Sequence, residues 1–176
     1  MKILRLHRLQ RGVTQLEFLI IALAVLLIIF AILEFAAYFY SIQMVNEVTR
    51  RSVRLATVCY IADRDDIPEM ESVSGLYPAG FSKNNLEITY LDQNGNEVDV
   101  SGFLSTPPAD NATLDAQFSQ IKYVKARSVN YTFRFFVLSA LINAIGTAPS
   151  FETILPAESL GILRPTSPTS TDKSDC

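Results

Sequence analysis

The chain has 176 residues, 49% of them hydrophobic, a formal net charge of −3 and a mean hydropathy of +0.22. Its one histidine, His7, lies in the first basic stretch, so histidine triads and histidine-ligated metal sites are excluded from the rest of the chain. No phosphate-cradling glycine loop or dinucleotide fingerprint occurs, the acidic balance argues against nucleic-acid binding, and no cofactor or metal is expected.

The first twelve residues, MKILRLHRLQRG, carry Lys2, Arg5, Arg8 and Arg11 and no acid. An uninterrupted apolar run, FLIIALAVLLIIFAIL, follows from Phe18 to Leu33, and after Glu34 it is extended by FAAYFY. As a helix, Phe18 to Tyr40 spans roughly 33 Å, enough to cross a hydrocarbon core. Phe35, Tyr38, Phe39 and Tyr40 suit the far interface, and the basic start predicts a cytoplasmic N-terminus with an exported C-terminal part. A cleaved secretory signal fits poorly, because Glu17 sits where apolar residues belong and no small-x-small cleavage site follows.

Gly12 to Glu17, GVTQLE, resembles the processing site of type IV prepilins and pseudopilins: a basic leader, a glycine, a glutamate as the fifth residue beyond it, then a membrane-length apolar run. The resemblance implies a cut by a membrane prepilin peptidase between Gly12 and Val13, with Arg11 and Gly12 presenting the leader. Val13 would become the mature N-terminus. Glu17 lies one turn on, about 6 Å along the helix, and would neutralise a terminal amine of its own or a neighbouring chain inside an apolar bundle. The alternative for Glu17 is an interfacial acid facing headgroups.

The Glu17-Phe18 pair, a second Glu-Phe at Glu34-Phe35, and the helical continuation NEVTRRSVRLAT resemble the TadE/TadF minor pseudopilins of tight-adherence (Tad, Flp-type) pili. The two cysteines and the C-terminal tail lean towards TadF. The resemblance implies a non-enzymatic subunit that helps initiate, cap or regulate a pilus used in adherence and biofilm formation. Its partners would be the prepilin peptidase, other minor pseudopilins, the major Flp pilin, the assembly platform and lipid of the bacterial inner membrane. Glu34 reads either as a contact to another pilin or as an interfacial acid.

Past Tyr40, the positions Ile42, Val45, Thr49, Ser52, Ala56 and Cys59 recur at helical spacing, with Arg50, Arg51 and Arg54 off the stripe. One helix is predicted from about Val13 to about Ala62. ADRDDIPEMES (62–72) reads as a solvated loop, and Asp63, Asp65 and Asp66 lack the glycine and terminal glutamate of an EF-hand. LEITYLDQNGNEVDV (86–100) reads as a hairpin turning at Asn94-Gly95 and returning through Val98 and Val100. Residues 101–120 read as loop. IKYVKARSVNYTFRFF (121–136) reads as one long strand alternating through Tyr123, Val129, Tyr131, Phe133 and Phe135, bent near Arg127, with Phe133, Phe135 and Phe136 in the core. Residues 136–146 are a loop or short helix closing that core, and 151–163 hold a last strand through Phe151, Thr153 and Leu155, broken at Pro156.

The tail RPTSPTSTDKSDC (164–176) has the composition of a disordered segment, yet ends in Cys176, whose only possible partner in the chain is Cys59. An exported domain favours a disulfide between them; a buried Cys59 with a free Cys176, or an intermolecular bond, are the alternatives.

The expected organisation is a leader (1–12), a membrane-spanning or filament-core helix (13–40), its exported continuation (41–62), an exported α+β domain (63–163) and the tail (164–176). The expected fold is a long N-terminal helix packed on a small antiparallel sheet, a pilin-like lollipop. Two other classes remain: an unprocessed single-pass periplasmic scaffold or binding protein, and a tethered hydrolase using carboxylates alone.

Overall fold

No proline, and no glycine after Gly12, interrupts the chain before residue 58, and in the computed structural model α1 (Gln10–Val58) is one helix of 49 residues, roughly 73 Å long. The structure describes residues 10–142, 145–147, 149–162, 173 and 176, with side chains from Thr14 onward apart from 141–148. The helix ends about four residues before the predicted Ala62. Its last turn is met by another part of the chain: Leu160 donates its N–H to the Thr57 carbonyl at 3.0 Å, filling an acceptor that helix termini leave open. Gly161, at φ +77°, lies so close to Tyr60 that an added Cβ would stand 2.4 Å from the Tyr60 Cα. The segment expected to be a solvated loop instead continues as 3-10 turns, Ile61–Asp65 and Ile67–Glu69, with Ile67 and Pro68 buried, and then as the short helix α2 (Glu71–Ser74).

The helical stripe is found as predicted. Val45, Thr49, Ser52, Ala56 and Cys59 are fully buried, Ile42 is half-buried, and Arg50, Arg51 and Arg54 are exposed. The small stripe lets the helix backbone approach a three-stranded antiparallel sheet of β1 (Leu86–Leu91), β2 (Tyr123–Ser128) and β5 (Glu152–Pro156), in the order β1-β2-β5. The helix lies chiefly over β2 and β5, where the hydroxyl oxygens of Thr49 and Thr153 are 3.4 Å apart. Leu86, Ile88 and Tyr90 are buried, as their alternation requires. The α+β arrangement of a long helix on a small sheet is therefore the observed fold, and the last strand falls where it was predicted.

Several expectations need correction. The 86–100 hairpin turns where predicted, with Gly95 at φ +82° and the Asp92 carboxylate accepting from the Asn94 and Asn96 N–H groups at 2.7 and 2.9 Å. Its return leg, however, is a single bridge, Leu91 to Glu97, beside the Val98 N–H donating to the Tyr90 carbonyl at 2.8 Å, while the other edge of β1 pairs with β2 along its whole length. The leg stops because the Asp99 carboxylate takes the Ser101 N–H at 2.9 Å and turns the chain into a helix. Residues 101–120 are accordingly not loop: α3 (Ser101–Leu104) and α4 (Asn111–Gln120) occupy them. The start of α4 is marked by Asp110, whose carboxylate accepts from the Thr113 hydroxyl at 2.6 Å, and Leu114 and Phe118, four residues apart, pack on the core.

The predicted 121–136 strand is two strands of opposite phase. In β2 the inward residues are Val124, Ala126 and Ser128, while Tyr123 is partly exposed. Asn130 then takes φ +53°, and Val129 exchanges backbone and side-chain hydrogen bonds with Asn85. After that break the inward residues are Tyr131 and Phe135, one step out of phase, because a one-residue slip in a strand moves every side chain to the other face. The break is thus at Val129-Asn130 rather than Arg127. β3 (Thr132–Arg134) leaves the main sheet and pairs with β4 (Ile145–Thr147) in a two-stranded sheet. Between them α5 (Val137–Ile142) is the short helix expected there, but it lies against α1 rather than closing the core.

Cys59 and Cys176 are joined by a disulfide across 117 residues of sequence, with Cα atoms 5.6 Å apart. Most of the tail lies outside the described residues. Lys173 donates to the Tyr60 hydroxyl at 2.7 Å, and the Cys176 N–H donates to Asp63, so both described tail residues return to the end of α1.

Two predictions follow from these constraints. Reducing the bridge, or the C59S/C176S double variant, removes closure of a loop of more than a hundred residues, at a cost of up to about 4–5 kcal/mol; denaturant unfolding of the oxidised, reduced and variant proteins reads it. The hydrogen bonds from Asn96 and Asn94 hold the Asp92 carboxyl below its usual pKa. Its stabilising contribution is therefore present above the unfolded-state value of about 3.9 and is lost as pH falls through the lower folded value. Melting curves across acid pH should show a shallower loss of stability in D92N than in the parent.

Candidate functional site: the N-terminal half of the long helix

α1 begins at Gln10, so the backbone of Arg11, Gly12 and Val13 is helical; their side chains lie outside the described part. Glu17 and Phe18 are exposed, and the apolar surface beyond them is bare: Phe18 is 74% exposed, Leu26 48% and Ile32 63%. The most apolar 18-residue window has a mean hydropathy of 3.2 with none of it buried. Each large apolar side chain left in water forgoes about 1.5–3 kcal/mol, so this surface requires lipid or other helices around it. The helix is long and apolar enough to cross a membrane once, consistent with a single-pass anchor.

At the upper end of the apolar run the structure supplies a partner for Glu34 that the sequence does not reveal. Its carboxylate accepts the backbone N–H groups of Phe136 at 2.7 Å, Val137, and Leu138 at 3.0 Å. Val137 and Leu138 open α5 and Phe136 directly precedes it, and N–H groups at a helix start have no acceptor within their own helix. A carboxylate near hydrocarbon and three unfilled donors are each costly alone; together they satisfy one another and favour the helix dipole.

Aromatic side chains seal the same junction. Phe135 packs edge-on against Phe35 with ring centroids 5.7 Å apart, and Tyr38 stands 5.6 Å from Phe133 and 5.5 Å from Phe135. Phe135 is buried and Phe133 half-buried, but the expectation that Phe136 lies in the core is overturned: it is 87% exposed. Its N–H is turned to Glu34 at the entry to α5, and its ring lies outside the aromatic cluster. The Glu34-Phe35-x-x-Tyr38 spacing puts an acceptor and two rings within about one turn, but nothing in it identifies the segment 102–104 residues later that they meet.

The C-terminal domain has a cleft of about 680 Å³ beside β1 whose lining includes Asp65 and Glu87. Asp65 is paired there with Arg64 at 2.8 Å. The described residues contain no group of three metal-ligating side chains; Asp63 faces the Cys176 N–H.

E34L should leave the α5 donors without an acceptor and E34Q should retain part of the cap. Hydrogen exchange of the 136–138 amides is expected to rise several-fold in E34L, less in E34Q, with the β2 amides unchanged.

No significant match to the chain was found among curated proteins or solved structures. The family model described as TadE-like protein matches residues 12–54, a stretch that starts at Gly12 and takes in Glu17, the whole apolar run, Glu34 and most of the small-residue stripe. Over that segment the chain is similar to TadE-like proteins, components of the Tad pilus system.

Proposed function

We propose that the protein is a non-enzymatic minor pseudopilin of a Tad-like pilus, anchored in a bacterial inner membrane with its N-terminus cytoplasmic and its C-terminal domain periplasmic. The observation that carries this reading is the uncovered apolar half of α1, preceded at fixed spacing by Gly12 and Glu17. The match of residues 12–54 to TadE-like proteins supports a Tad-associated role.

In this reading a prepilin peptidase removes residues 1–12, guided by Arg11 and Gly12. The leader takes Lys2, Arg5, Arg8 and Arg11 with it, leaving 11 basic side chains against 18 acidic, a formal −7. The new amine on Val13 and the Glu17 carboxylate, one turn apart, supply the opposite charges that staggered helices pair in an apolar bundle, and Phe18 opens the apolar surface beside them. The small-residue stripe keeps the exported domain rigidly joined to the anchor, so that placing the helix places the domain. That domain meets other minor pseudopilins, the major pilin and the assembly platform, and so contributes to initiation or capping of a pilus serving adherence and biofilm formation.

The N-terminal sequence and intact mass of the protein from native membranes, with and without the prepilin peptidase, test the reading. A peptidase-dependent start at Val13 is expected. G12L should abolish the cut, and E17L should be cut yet fail to support pilus assembly. A start at Met1 in both samples overturns the pseudopilin reading and leaves an unprocessed membrane-anchored scaffold.

A further inference from the structure

Glu34 lies about 24 Å along the helix axis from Phe18. In a hydrocarbon layer about 30 Å thick that begins at Phe18, this is just inside the outer boundary. Three hydrogen bonds tie the start of α5 to Glu34, so α5 is held at that same depth. The chain there has a matching composition: from Phe135 to Phe151 there is no charged side chain. Phe136, at the entry to α5, exposes 87% of its surface. Above it, the exposed Arg134 and Tyr40 line a hollow of about 720 Å³ between α1 and the segment 78–80. Tyr40 is six residues beyond Glu34, roughly 9 Å further out, at the level of lipid headgroups.

We propose that Phe136 and α5 form a second membrane contact, seated in the outer leaflet beside the spanning helix. The occupant of this apolar surface is the lipid interface. Depth is limited by backbone chemistry: the β3–β4 sheet has only two strands, and its open edges cannot enter hydrocarbon unpaired. Insertion therefore stops at α5 and Phe136, with Arg134 left among the headgroups, where a cation meets lipid phosphate. Two contacts, the spanning helix and α5, hold the domain at one height and one rotation over the bilayer, where a single helix would leave it free to spin.

This inference rests on the anchor reading, and the test separates the two. The chain has no tryptophan, so single substitutions give unambiguous fluorescence probes. The full-length variants F136W, L26W and D115W are placed in phosphatidylethanolamine/phosphatidylglycerol vesicles with and without brominated acyl chains. Leu26 is mid-anchor, and Asp115 is exposed on α4. The expected result is blue-shifted emission with strong bromolipid quenching for F136W and L26W, and neither for D115W. Quenching of L26W without quenching of F136W overturns the second contact and keeps the anchor. A blue-shifted F136W that bromolipid does not quench means protein covers it, and also overturns the proposal. Failure to quench L26W overturns the anchor itself.

Discussion

The packing of one narrow stripe of α1 on a small sheet is the constraint on which the rest of the molecule depends. Val45, Thr49, Ser52 and Ala56 are fully buried, and their small side chains let β2 and β5 come close to the helix backbone. A larger residue at any of these positions would push the sheet away and cost of the order of 1–3 kcal/mol through overpacking. Because α1 runs without a break from the apolar half into this stripe, the domain has no hinge where it meets the helix. The turn at Leu160-Gly161 and the Cys59–Cys176 bond then close the far end of the helix.

A second junction, about five turns earlier, works by different physics. The stripe is held by apolar contact and close approach. The Glu34 junction is held by directed hydrogen bonds from α5 and by four aromatic rings. Each suits its surroundings. In water the removal of apolar surface drives packing, whereas near lipid that force is weak and satisfying polar groups matters more. The domain thus grips the helix twice, once by burying a small-sided stripe and once by filling hydrogen-bond donors with a single carboxylate.

Legibility in the sequence followed the range of the interaction. The helix from Gln10 to Val58, its buried face, the alternation of Leu86, Ile88 and Tyr90 and the turn at Gly95 all depend on neighbours within a few residues, so their spacing displays them. The helix α4 was legible in principle, through Asp110, Thr113 and the Leu114–Phe118 pair, but its polar composition obscured it. The phase change at Asn130 was harder. Either phase of 121–136 offers apolar residues, and only the partner strands β1 and β5 select Val124 and Ala126 as the inward pair. The hairpin leg at 97–100 ends after one bridge on the free edge of β1, because Asp99 turns the chain into a helix at Ser101.

What the sequence alone determined is the part of the protein set by local order: a basic start, Gly12 and Glu17 at fixed spacing, a membrane-length apolar run and a small-sided helical stripe. Tertiary structure alone decided the fate of Glu34. As a residue in a sequence it is an acid at the edge of hydrocarbon, open to any partner. In the folded chain it caps a helix that begins more than a hundred residues later. Hydrogen-bond donors at the start of a helix are unfilled wherever that helix forms, but which acceptor meets them depends on the path of the intervening chain, and no local pattern records that path.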